Sequence, residues 1–203
     1  MKLTEAKLKS LIVEVLQEGM MTVADLPKDA YIMIDGSDED EIYILYVDKD
    51  GREGKVHPYG TITLQTEVAM ADDFPCMDAF MIAYSDVSDG WGPLLYDVAM
   101  EVATLKGGGL VSDRSIVSPE AYDVWDIYNT KRGDVEKKQL DDEASTLTPD
   151  IEEDNCLQNV AFQYADEKGM SWNETPVSKL YRKEPSRLSE LDRDGKLITN
   201  IKF

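Results

Sequence analysis

The sequence predicts an α+β fold, a mixed but mainly antiparallel sheet flanked by helices, and three observations predict it. Strand-length runs separated by polar turns follow one another between Tyr31 and Val68. An apolar run at Ala79–Tyr84 enters a glycine-rich turn and then a helical pattern. A shorter copy of that order, apolar strand and then helix, recurs from Leu110 to Tyr128. An added amino-terminal helix and a carboxyl-terminal extension complete the expected architecture. Three regions result: an amphipathic helix at 1–20, a core at 21–145 and an acidic extension at 146–203 packed on that core.

In chain order, Leu3, Leu8, Leu11, Ile12, Val15 and Leu16 make one stripe of a helix over Met1–Glu18, with charged residues elsewhere and Gly19 as its cap. Glu5, Glu14 and Glu18 argue against a basic membrane anchor, which leaves the helix to pack on its own domain or dock on another chain. Strands are expected at Tyr31–Ile34, Ile42–Val47, Gly54–Pro58 and Thr61–Val68, an antiparallel meander with turns at Asp35–Glu41 and Asp48–Gly51. The first of those turns is acidic but lacks the twelfth-position glutamate and the flanking helices of a calcium loop, so it reads as a solvated hairpin tip.

The central segment is Asp89-Gly90-Trp91-Gly92-Pro93-Leu94-Leu95-Tyr96-Asp97-Val98-Ala99-Met100. A strand, a glycine turn and a helix amino end in that order place free N–H groups and the positive end of the helix dipole together, where backbone alone can hold a phosphate. The structural alternative is a tight turn that only starts a helix. Lys106-Gly107-Gly108-Gly109 ends that helix, Leu110-Val111-Ser112 makes a short buried strand, and Ser118-Pro119 opens another helix with Ser118 as N-cap. Ala121, Val124, Trp125 and Tyr128 share one face of it.

This segment resembles the carboxyl half of the fold of the GNAT N-acetyltransferase superfamily. In that family a Gln/Arg-x-x-Gly-x-Gly/Ala turn binds the acyl-CoA pyrophosphate, and Asn-x-x-Ala-x-x-x-Tyr on the next helix often supplies a tyrosine general acid. The runs GWGPLLYDVAM, GGGLVSDR, SPEAYDVWDIY and KRGDVEKKQLDD are similar to those of a GNAT-like protein of tailed bacteriophages. The likeness covers about a quarter of the chain. It implies a GNAT-like core, acetyl-CoA as acyl donor, and Gly90, Trp91, Gly92, Leu94 and Leu95 as the residues that hold it. Two departures stand out. Val87 occupies the position of the family's Gln/Arg, and Trp125, which cannot titrate as an acid, occupies that of the tyrosine. Tyr128 is the replacement, with Tyr122 the lesser candidate, against the simpler reading that both belong to an apolar helix face.

Composition limits the rest. Forty-one acidic against 21 basic residues give a net charge of -20, which disfavours nucleic acid and acidic membranes and favours a cationic amine substrate. Lys106, Arg114, Lys131 and Arg132 are the cations nearest the turn in sequence. Cys76 and Cys156 lie far apart with no Cys-x-x-Cys or Cys-His pattern, so neither a disulfide scaffold nor a zinc site is expected, and a reducing host cytoplasm is the expected setting. His57 has no nucleophile motif to serve, no run approaches the roughly 20 apolar residues that span a bilayer, and the amino end shows no signal core. The acidic runs Leu140–Glu143 and Thr148–Asp154 read as surface, with no metal-ligand spacing. A short helix at Asn155–Tyr164, a strand at Val177–Arg182, and a helix, turn and strand from Ser186 onward close the chain. Two functions fit: an acyl-CoA-dependent N-acyltransferase acting on an amine, or a non-enzymatic phage protein, virion or intracellular, that binds a partner on a GNAT-like scaffold.

Overall fold

A computed structural model describes residues 21–38, 40–66, 76–142 and 145–203. The expected helix at Met1–Glu18 lies outside the described residues. The described residues form one eight-stranded mixed sheet and four α-helices, an α+β architecture. The strands are β1 (Tyr31–Asp35), β2 (Glu41–Val47), β3 (Gly60–Thr66), β4 (Phe80–Val87), β5 (Leu110–Val111), β6 (Glu136–Gln139), β7 (Lys179–Arg182) and β8 (Leu197–Thr199). The helices are α1 (Gly92–Lys106), α2 (Pro119–Lys131), α3 (Asn159–Lys168) and α4 (Arg187–Arg193). The sheet order is β6-β7-β5-β4-β3-β2-β1-β8.

β1 to β4 form the antiparallel meander that the alternating runs require, with Ile34 opposite Ile44 and Ile44 opposite Ile62. β4 then pairs in parallel with β5, as a crossover through a helix demands. The carboxyl-terminal segment is part of this same sheet. It supplies β7 between β5 and β6, and β8 parallel to β1 at the far edge.

Side-chain alternation sorts the middle of the sheet into two buried faces. Phe80, Ile82, Leu110 and Tyr181 join the main core with α1, whereas Met81, Val111 and Leu180 join a smaller cluster with Cys76, Leu140 and Cys156. Burial on both sides explains why this part of the sequence reads as continuous apolar runs. Across α1, every residue from Leu94 to Ala103 is buried, Asp97 and Glu101 included.

Three expectations are corrected, and one strand is added. Gly54–Pro58 forms no strand: Gly54 sits at φ +67° and Pro58 has no N–H to give a ladder. Glu136–Gln139, to which the sequence assigned no element, is a strand, and its charged residues suit the sheet edge that it occupies. Asp141 and Asp154 are not surface residues but 1% exposed, because Asp141 Oδ2 accepts the N–H groups of Leu147 and Thr148 and the Thr148 hydroxyl, which also donates to Asp154. Finally, Cys76 and Cys156 are joined in a disulfide with both residues fully buried. The chain returns through Met77 N–H to Glu153 O and Cys76 N–H to Asn155 O, which brings together cysteines 80 positions apart. No helix among the described residues is long and apolar enough to cross a membrane.

Candidate functional site

The site begins where β5 stops. β4 is paired with β3 along its whole length, from Phe80 opposite Thr66 to Val87 opposite Gly60. Its other side meets β5 only at Phe80 and Met81. β5 ends there because Asp113 turns the chain away: its Oδ1 accepts the N–H groups of Ser115 (2.6 Å) and Ile116 (2.8 Å). From Ile82 onward, among the described residues, β4 has no neighbouring strand on that side. The two strands therefore splay and leave a cleft of about 270 Å³. Ile82 to Ser85 form one wall and Tyr96 of α1 adjoins them; Asp113, Ile116 to Ser118, Ala121 and Trp125 form the other.

The lining is mixed, with Ile82, Ala83, Ile116, Val117, Ala121 and Trp125 beside Tyr84, Ser85, Tyr96, Asp113 and Ser118, and two of its hydroxyls face each other. Ser85 Oγ lies 3.3 Å from the Tyr96 hydroxyl, and either can donate. Burial holds the Tyr96 pKa above its ordinary value, with the Ser85 contact pulling in the opposite direction. Ser118 Oγ is occupied as the N-cap of α2, accepting from Ala121 N–H at 3.2 Å, as its sequence position requires. Among the described residues the one charged lining residue is Asp113, and no lysine, arginine or histidine lines the cleft.

The glycine turn lies at the end of β4. Gly90 takes φ +80°, a left-handed conformation that favours glycine. Trp91 N–H donates to Ser88 O, Trp91 O accepts from the Tyr46 hydroxyl at 3.0 Å, and the two rings meet edge to face at 5.8 Å. Trp91, Leu94 and Leu95 are thus core side chains, and the Trp91 and Leu95 amides are engaged as well, the first with Ser88 O and the second as the first intrahelical donor of α1, so neither of these two holds a ligand as the resemblance implies. Pro93 has no N–H, so Gly92 and Leu94 are the first-turn amides without an intrahelical acceptor. A side chain at Gly92 would meet nothing within 4 Å.

The structure does not bring Tyr128 to the cleft wall. Its hydroxyl donates to Asp97 Oδ1 at 2.7 Å and lies 3.2 Å from Pro93 O. Burial first, and then the Asp97 charge, push its pKa well above the ordinary tyrosine value, so it keeps its proton. Tyr122 stacks on Tyr164 with ring centroids 4.1 Å apart, and burial pushes its pKa to about 12. The four basic residues are dispersed. Arg132 pairs with Asp97 at 3.0 Å and Asp134 at 2.7 Å, and Arg114 is buried against Ser112. Lys106 sits at the far end of α1, about 20 Å from the turn by helical rise, and Lys131 is exposed at the end of α2. Val87 closes β4 and packs against the core.

Sequence reasoning missed Ser85 and Tyr96. The available signal was spacing: Tyr96 lies one helical turn after Gly92, and Ser85 interrupts the apolar run that precedes the turn. No family model, curated protein or solved structure matches the chain.

Proposed function

We propose that the chain is a phage-encoded GNAT-like N-acyltransferase that uses an acyl-CoA donor. The observation that carries this reading is the cleft opened by β4 and β5, with its unpaired β4 edge running toward the glycine turn at the start of α1. An antiparallel meander, a parallel step and a helix entered through glycines is the order that the resemblance implies. The cleft fits the acyl donor in two respects. Its mixed apolar and polar walls, and the β4 amides that no strand among the described residues pairs beyond Met81, suit an extended arm carrying secondary amides, and the Gly92 and Leu94 amides with the α1 dipole suit the pyrophosphate. When bound, the donor supplies a thioester carbonyl for an amine to attack. The chain's part is to align the two, to polarise the carbonyl through a β4 amide, and to exclude water.

A second reading, a non-enzymatic virion or intracellular binding protein on the same scaffold, is favoured by one specific observation. Tyr128 and Arg132, the residues nearest to family-like chemistry, are both spent on Asp97. Isothermal titration of acetyl-CoA and desulfo-CoA separates the two. The acyltransferase reading predicts micromolar binding that Gly92→Glu weakens by roughly tenfold or more, because the new carboxylate meets the pyrophosphate while its open position spares the fold. Absence of binding at millimolar ligand leaves the scaffold reading.

A further inference from the structure

We propose that Ser85 and Tyr96 form a two-hydroxyl proton relay between the incoming amine and the departing sulfur, an inference that rests on the acyl-transfer reading above. N-acyl transfer from a thioester has to move one proton. The C–N bond forms as the C–S bond breaks, the amine nitrogen carries a surplus proton, and the thiolate lacks one. Among the described residues the cleft holds no histidine, and its carboxylate, Asp113, is engaged in turning the chain. Ser118 is occupied as a helix cap and Tyr128 donates to Asp97. Tyr84 also lines the cleft but is largely exposed, whereas Ser85 and Tyr96 line it with hydroxyls that contact each other at 3.3 Å.

That pair balances the reaction without another base. As the amine attacks in its neutral form, its ammonium proton having already gone to solvent, its surplus proton passes to Ser85 Oγ, the Ser85 proton passes to the Tyr96 oxygen, and the Tyr96 proton passes to sulfur. Both hydroxyls end as they began, and the products are the amide and the free thiol. Tyr96 is also held for the task. Its ring packs edge-on against Trp125 at 5.8 Å and stacks against Tyr128 at 6.4 Å, so its hydroxyl is fixed at the cleft. The resemblance pointed to a tyrosine on α2; the geometry points instead to one on α1.

The experiment uses the full chain with acetyl-CoA and a panel of primary amines, reading thiol release, with acetyl-CoA affinity measured in parallel by titration. Tyr96→Phe is expected to lower kcat by roughly 100-fold or more while changing the acetyl-CoA Kd little. Ser85→Ala is expected to lower kcat as well, Ser85→Thr to restore it, and the double variant to be no worse than Tyr96→Phe alone. In mixtures of light and heavy water the wild-type rate is expected to curve with deuterium content, and the Tyr96→Phe rate to lose that curvature. Wild-type protein that fails to bind acetyl-CoA overturns the acyl-transfer reading and the relay with it. Wild-type binding with kcat unchanged in Tyr96→Phe, with kcat lost only in Tyr128→Phe, or with thiol release that no amine stimulates, overturns the relay alone.

Discussion

Glu101 shows what single residues do in this molecule. It is fully buried in the middle of α1, and its carboxylate pairs with Lys183 and accepts the N–H groups of Arg187 (2.9 Å) and Leu188 (2.8 Å). One side chain thus neutralises a buried lysine and caps the first turn of α4. Glu101→Ala should lose about 3–5 kcal/mol in denaturant unfolding, because it strands the Lys183 charge and the α4 amides; a loss under 1 kcal/mol contradicts this assignment. Asp134 offers a pH test. Its hydrogen bonds to Arg132 lower its pKa from 3.8 to about 2. A depressed carboxylate stabilises the fold above its unfolded value, and that contribution disappears as pH falls from about 4 through about 2. Asp134→Asn should therefore flatten the acid limb of a Tm-against-pH curve over that window, and leave the slope between pH 6 and 8 unchanged. Ser118 as a cap was legible in the sequence, because Ser-Pro before an apolar periodicity has a single local reading. The roles of Asp97 and Glu101 were not, since α1 is buried all round and a helical pattern assigns its polar residues to solvent.

At the scale of elements, the decisive event is the brevity of β5. Two residues suffice to set the parallel step, and their early end opens the cleft. The glycines before β5 set its position. A Cβ at Gly108 would fall 1.7 Å from Met77 O, so Gly108→Ala must displace the turn at Cys76–Asp78, and it should lower stability and acetyl-CoA affinity together. That turn is in turn tied to the loop before α3 by the Cys76–Cys156 bridge. Closing a loop of 80 residues is worth roughly 4–5 kcal/mol in the chain-entropy account. Urea unfolding with and without reductant should differ by an amount of that order; coincident curves would mean that the bridge contributes nothing. The sequence showed β1, β2, β3, α2 and β7 because each carries a period, and α1 because its apolar residues follow a glycine turn, while the strand expected at 54–58 did not form. It hid β6, whose Glu-Lys-Lys-Gln run has no apolar alternation, and the disulfide, whose two halves meet only once the chain has folded.

For the whole molecule, the α+β class followed from the order of periods along the chain, and the structure places that order in one sheet. The position of β7 was not readable. Val177–Arg182 announces a strand but not that it enters between β5 and β6, a pairing set by tertiary contacts. The cleft was hidden for a related reason, since it is made where, among the described residues, no strand lies beside β4 past Met81, and by side chains from β4, α1 and α2 that are distant in sequence. The net charge of -20 is a property of the same scale. It steers cations toward the molecule and leaves any anionic donor to be held by backbone amides at the turn, so acetyl-CoA affinity should fall little as salt rises from 0.05 to about 0.5 M.

The central claim is that the splayed strands receive an acyl-CoA arm along β4. Hydrogen exchange of the full chain with and without saturating desulfo-CoA tests it most directly. The account predicts slowed exchange at backbone amides of residues 82–87, in the facing segment 113–118 and at the first turn of α1, with the meander and α3 unchanged. Exchange unaltered along β4, or protection confined to other elements, would contradict it.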